Sequence, residues 1–186
     1  MSNTVIFVLV GILLVLGLLT IVIYNRLVTL SFKVTEAFSQ IQVQLKRRSD
    51  LIPNLIETVK GYAAHEKTTF DAVVLARSKA TSATTVTDVS AADGMLTQAL
   101  RGLLAVAEAY PDLKASDNFL SLQEELSTTE NKIAFARQFY NDNVRLFNTT
   151  INTIPSKFVA DIMKYQDKEF YELEDPSLAD LPNVKF

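Results

Sequence analysis

The side chains best suited to chemistry in this 186-residue chain are few, and they are scattered. His65 is the single histidine and stands beside Glu66 in AAHEKTT. A zinc hydrolase of the HExxH type needs a second imidazole one helical turn on, so that both rings reach one metal ion. The motif is not completed, and no second imidazole exists to share a metal. Paired carboxylates such as Glu124 and Glu125 are neighbours in sequence, so on a helix they point about 100° apart and cannot flank one bond. The chain has no cysteine, which removes thiol nucleophiles, thiolate metal sites and disulfides. Phosphate-cradling glycine loops and nucleophile elbows are missing as well. The sequence thus nominates no catalytic residue, no cofactor site and no metal site.

What it does nominate is a set of polar groups on apolar helices. In Arg47-Arg48-Ser49-Asp50-Leu51-Ile52-Pro53-Asn54-Leu55, helical spacing carries Arg48 onto the apolar side and puts Pro53 inside the helix. A charge in that position needs a partner, because burying it alone costs several kcal/mol. Proline removes the backbone bond to the Ser49 carbonyl and is expected to kink the helix. A later helix offers Glu130, Asn131, Arg137, Asn141 and Asn148 on or beside its apolar stripe. The expected arrangement is a satisfied polar network of Arg48, Asp50, Asn54, Glu130, Asn131, Arg137 and Asn141 that fixes helix register. Asn141, Asn143 and Asn148 also form a repeated pattern with Tyr140 and Phe147. Asparagine is a poor helix-interior residue, so several on one helix suggest packing against another polar helix or another copy of the protein.

The elements that must position these residues begin with Val5 to Tyr24, an uncharged run of about the 20 residues that cross a bilayer. Met1 to Thr4 lack the positive residues of a signal peptide, and YNRLVTLSFK offers no small-residue cleavage site. A retained transmembrane helix is the reading. Arg26 and Lys33 follow the span and nothing basic precedes it, which predicts the N-terminus outside and the domain in the cytoplasm. Val34, Phe38, Ile41, Leu45, Ile52, Leu55, Val59 and Tyr62 then recur at steps of bundle type, and the simplest helix runs on to about Ser78. Ser78 to Ser90 reads as a loop or a frayed helix end. A second bundle helix is expected over Ala91 to Tyr110, stopped by Pro111. A third follows a cap at Ser116 or Asp117, with Phe119, Leu122, Leu126, Ile133, Ala136, Tyr140, Val144, Phe147, Ile151 and Ile154 as its stripe until Pro155. Ser156 to Tyr165 allows one more short helix, and the acidic, proline-bearing end reads as extended or disordered.

The expected organisation is a short tail over 1–4, a transmembrane helix over 5–24, a helical bundle over 25–166 and a tail over 167–186. The net charge of −3 is spread without a basic face, so nucleic acid is not an expected partner.

The strings QLKRRSDLIPNLIETVKGYAAHE (Gln44 to Glu66) and LQEELSTTENKIAFARQFYNDNVRLFNTTINTIP (Leu122 to Pro155) closely resemble the two signature stretches of the LemA family of bacterial membrane proteins. Both fall on long helices behind an N-terminal anchor. The resemblance implies an all-α fold, a transmembrane helix continuous with a long-helix antiparallel bundle of four-helix type in the inner membrane, and no established biochemical activity. Of the functions open to such a chain, a membrane-anchored scaffold that forms a homo-oligomer through helix faces fits its long stripes and single span. The alternative is a regulatory or sensory partner of other membrane proteins that docks through the domain or through the acidic tail with its DLPNVKF end. A hydrolase or metal enzyme ranks third, for lack of ligands.

Overall fold

An apolar run with no helix breaker continues without interruption into an amphipathic stripe, so both parts become one element, α1 (Asn3–Lys60). The computed structural model of the chain describes residues 3–172. From Val5 to Val22 the large apolar side chains of α1 are exposed around its whole circumference; Ile23 is the first to be buried. Such a helix has the length and composition to cross a bilayer, and it is not a core helix covered by the rest of the chain. From Ile23 onward one face is covered, through Leu27, Leu30, Val34, Ala37 and Ile41 and then Ile52, Leu55 and Val59.

α1 stops at Lys60, well short of the expected Ser78. Gly61 is a poor helix former, and the Tyr62 and Ala63 amides both donate to the Val59 carbonyl, which closes a turn. His65 is exposed in that turn. The chain then folds back as α2 (Lys67–Ser82), whose Phe70, Val73 and Ala76 start a new stripe. The loop expected over Ser78 to Ser90 shrinks to three residues. α3 (Val86–Ala107) starts early because Thr85 caps it: its hydroxyl accepts from the Asp88 amide at 3.1 Å and donates to the Asp88 carboxylate at 2.7 Å. Pro111 supplies the first residue of a one-turn α4 (Pro111–Lys114), where its missing N–H costs nothing. Ser116 precedes α5 (Asp117–Asn152), which α6 (Ser156–Ile162) follows after the Pro155 break. Among the described residues there is no strand.

The buried residues fall into two apolar cores. One joins α1 from Ile23 to Ile41 with the second half of α5, with α6 and with Tyr171. The other joins α1 from Ile52 to Val59 with α2, α3 and the start of α5. The pairing of early α1 with late α5, and late α1 with early α5, makes these two long helices antiparallel. α6 ends with Lys164 at φ 56°, and the Tyr165 amide donates to the Ala160 carbonyl at 3.1 Å while that of Lys164 donates to Asp161 at 3.2 Å. This Schellman turn reverses the chain and sends it back along α5.

Candidate functional site: a buried ion network and a strap of extended chain

Between the two apolar cores lies a polar layer. Arg48, on α1 between Ile41 and Ile52, is buried and forks across two acids. Its Nη1 donates to Asp93 Oδ1 at 2.8 Å, and its Nη2 lies 2.8 Å from Glu130 Oε2. Arg137, two turns beyond Glu130 on α5, donates to Glu130 Oε1 at 3.2 Å and approaches Asp93 Oδ2 at 4.0 Å. The fifth member comes from beyond α6: the Tyr171 hydroxyl donates to Asp93 Oδ2 at 3.0 Å, and the Arg137 guanidinium lies 5.8 Å from its ring centre. Two cations face two anions, so the layer is neutral in sum, as a buried charged cluster must be to be tolerated.

Asp93 is the centre of the layer. Burial pushes its carboxyl above the ordinary carboxylate range, and the Arg48 and Arg137 guanidiniums pull it back. Burial, and then the negative charge of Asp93, push the Tyr171 phenol well above its ordinary value, so it stays a neutral donor. Arg137 Nε is buried without a hydrogen-bond partner among the described residues.

Helix geometry decides which of the sequence-nominated residues meet here. Arg48, Glu130 and Arg137 come together. Asp50 points outward and pairs with Lys46 one turn before it, and Asn54 and Asn131 are exposed. Asn141 lies one turn beyond Arg137, but its amide serves the strap. Asp93 and Tyr171 escape the sequence reading. Asp93 had a signal: within the α3 stripe of Val89, Ala92, Leu96, Leu100 and Leu103 it is an acid on the buried face.

The strap is residues 167–172, extended and laid antiparallel along α5. Asn148 uses both ends of its amide on one residue: Nδ2 donates to the Lys168 carbonyl at 2.9 Å, and Oδ1 accepts from the Lys168 amide at 2.8 Å. Asn141 repeats this on Tyr171 at 3.1 and 2.8 Å. Seven residues of helix rise about 10 Å, and three residues of extended chain cover about the same length, so the two asparagines match the strap's repeat. Between them the Tyr140 hydroxyl donates to the Glu169 carbonyl at 2.8 Å, and burial holds its pKa up at about 12. Asn152 donates to the Asp167 carboxylate at 2.8 Å. From the α3 side Thr87 donates to the Glu169 carboxylate at 2.9 Å, and Ser90 donates to the Glu172 carbonyl. Within the chain, Asn141 and Asn148 thus meet no polar helix but the backbone of their own strap, while Asn143 donates to the Phe139 carbonyl of its own helix at 2.7 Å. The remainder of the expected tail, 173–186, lies outside the described residues.

Chemically, the layer holds charges in place and offers no reacting pair. Each acid is committed to arginine, and no group of three or more His, Cys, Asp or Glu residues able to hold a metal ion occurs among the described residues.

Comparison with known proteins places these elements in a family context. The model of the LemA family matches residues 37–186, which include every residue of the polar layer and the strap. Magnetosome protein MamQ 2 of Paramagnetospirillum magneticum is 25% identical over 175 residues, covering 80% of this chain and 64% of the relative. Protein LemA of Metamycoplasma hominis is 30% identical over 139 residues, covering 73% of this chain and 63% of the relative. The chain therefore spans a little under two thirds of the length of the curated relatives it matches. An exposed apolar helix and these relatives together mark a membrane-associated protein whose family names are not names of enzymes.

Proposed function

Because the chain belongs to the LemA family, we propose that it is a membrane-anchored structural protein whose copies associate side by side through the α1/α5 face. The observation that carries this reading is an exposed apolar surface on the two longest helices. Phe32 and Val43 of α1 and Phe135, Phe139 and Leu146 of α5 all lie open, with Phe32 and Phe135 more than 70% exposed. Counting from the Phe38–Tyr140 ring contact along antiparallel helices puts Phe32 level with Leu146 and Val43 level with Phe135. The exposed residues therefore form one surface along the bundle.

Val43, Phe135 and Phe139 line a groove between the helices, and the Gln44 Oε1 that also lines it is buried without a hydrogen-bond partner among the described residues. Apolar side chains clustered in this way mark an interaction surface, and an orphaned acceptor beside them fits a donor from a partner. A second copy is the occupant we favour: anchors in one plane hold copies upright and raise their local concentration, so a weak face is enough. On this reading the span crosses the inner membrane once, with the bundle on the cytoplasmic side where Arg26 and Lys33 lie.

The cysteine-free chain makes the test direct. A single cysteine in place of Phe139, oxidised in native membranes, should give a disulfide-linked dimer, whereas one in place of Asp71, exposed on α2, should not. Equal crosslinking at both positions, or none at Phe139, would remove the support for this face.

A further inference from the structure

The end of the bundle nearest the span carries a second unpartnered apolar surface. α5 ends at Asn152, and its antiparallel register with α1 brings Ile151 level with Leu27 and Asn152 level with Arg26, just past Tyr24, the last residue of the apolar run. α6 follows at once, and its inner face packs into the core that contains Ile23, Leu27 and Leu30 through Val159 and Ala160. Its outer face is apolar. Ile154 in the preceding turn is 75% exposed, Phe158 63% and Ile162 79%, with Met163 open beside them.

We propose that α6 is an interfacial foot, whose Ile154, Phe158 and Ile162 rest among the lipid headgroups of the same bilayer that α1 crosses; this rests on the reading of α1 as the span. Three arguments favour lipid over a protein as the occupant of this face. The first is position. α6 packs into the core that Ile23 and Leu27 begin, and Leu27 stands about 5 Å beyond the end of the apolar run at 1.5 Å per residue, within the roughly 5–7 Å of headgroup region on each side of a bilayer. The second is the neighbouring surface, because α1 is exposed and apolar around its whole circumference as far as Val22, one residue before the core that α6 joins begins at Ile23. The third is the character of its rim. Lys157 and Lys164 are exposed beside it, as is Arg26 on α1, against two acids, Asp161, which Lys157 pairs at 3.4 Å, and Asp167, which accepts from Asn152. Basic residues flanking a short apolar face are what an interfacial helix presents to anionic headgroups. The foot would fix how the bundle stands on the membrane, because a single span leaves its tilt free.

The chain has no tryptophan, so one introduced tryptophan reports one position. Full-length protein is reconstituted into phosphatidylcholine and phosphatidylglycerol vesicles whose acyl chains carry bromine, in one preparation close to the headgroups and in another near the chain ends. Three variants are compared: L14W in the span, F158W in the foot and F135W on the bundle flank. The proposal expects F158W to lose most of its fluorescence to the shallow bromines and to emit further to the blue than F135W, which stays unquenched. Quenching of L14W with F158W as bright as F135W overturns the foot and leaves the span standing. An unquenched L14W overturns the span, and the foot falls with it.

Discussion

The Ser49 carbonyl, the one that Pro53 leaves without an intrahelical donor, accepts a hydrogen bond from Arg77 Nε at 2.9 Å. α1 runs on through Pro53 with its freed acceptor satisfied by a side chain from α2. Arg77→Ala should therefore cost about 1–3 kcal/mol, the penalty of a buried acceptor without a donor. Pro53→Ala restores the helical donor and should remove most of that cost in the double variant. Equilibrium unfolding of the four proteins gives the coupling, and strictly additive effects would refute the link between the two residues.

The polar layer should be fragile to single changes and tolerant of paired ones. Arg48→Met leaves Asp93 buried with Arg137 at 4.0 Å as its nearest remaining cation, and a loss of about 3–5 kcal/mol is expected. Converting Asp93 to Leu in the same chain removes the stranded charge and should recover much of the stability. Chemical denaturation of the single and double variants checks this, and a double variant weaker than either single one would contradict it.

Asn141 and Asn148 should hold the strap in equal measure. Replacing either with alanine removes two hydrogen bonds to the strap backbone, worth about 1–3 kcal/mol together. The expected result is faster tryptic cleavage after Lys168 with the bundle left folded, read by limited proteolysis and mass spectrometry. Asn131→Ala, exposed on the same helix, serves as the control that should change nothing.

The strap should also release in alkali. Tyr140 is held up at about 12 and Tyr171 is raised further, in both cases by burial first. A phenol whose folded pKa exceeds its unfolded value of about 10 contributes stability that is complete below pH 10 and lost as pH rises through the folded value. Amide exchange of residues 167–172 should accelerate between pH 10 and 12 relative to the rest of the chain. In Tyr171→Phe the acceleration should shrink; an identical profile would show that the phenol does not control release.

Much of the architecture was legible because periodicity reports burial directly. The apolar run, the α1 stripe as far as Val59, the α5 stripe as far as Ile151, the Pro155 break and the placement of Arg48 opposite Glu130 and Arg137 all follow from which residues repeat every three or four positions, whereas Tyr62 and Ile154 fall beyond the helix ends and are exposed. The departures have local causes. The turn after Lys60 carries no proline and only Gly61, so nothing in AAHEKTT distinguished it from continued helix. The Thr85-to-Asp88 cap lay inside a serine and threonine tract whose composition reads as loop. The strap is acidic and close to proline, the composition of a disordered end, and its order comes from Asn141 and Asn148 on a distant helix. Spacing shows that two asparagines share a face, but it does not show that an extended chain with a matching repeat returns to meet them. Asp50 and Asn54 follow Arg48 closely in sequence, yet the helical twist turns both to solvent.

Self-association is tested most directly by the mass of the full-length protein in mild detergent, from light scattering coupled to chromatography with the detergent contribution subtracted. A particle of more than one chain is expected, which Phe135→Glu with Phe139→Glu converts to a monomer of unchanged helicity. A strictly monomeric wild-type particle, or an oligomer indifferent to both substitutions, would contradict it.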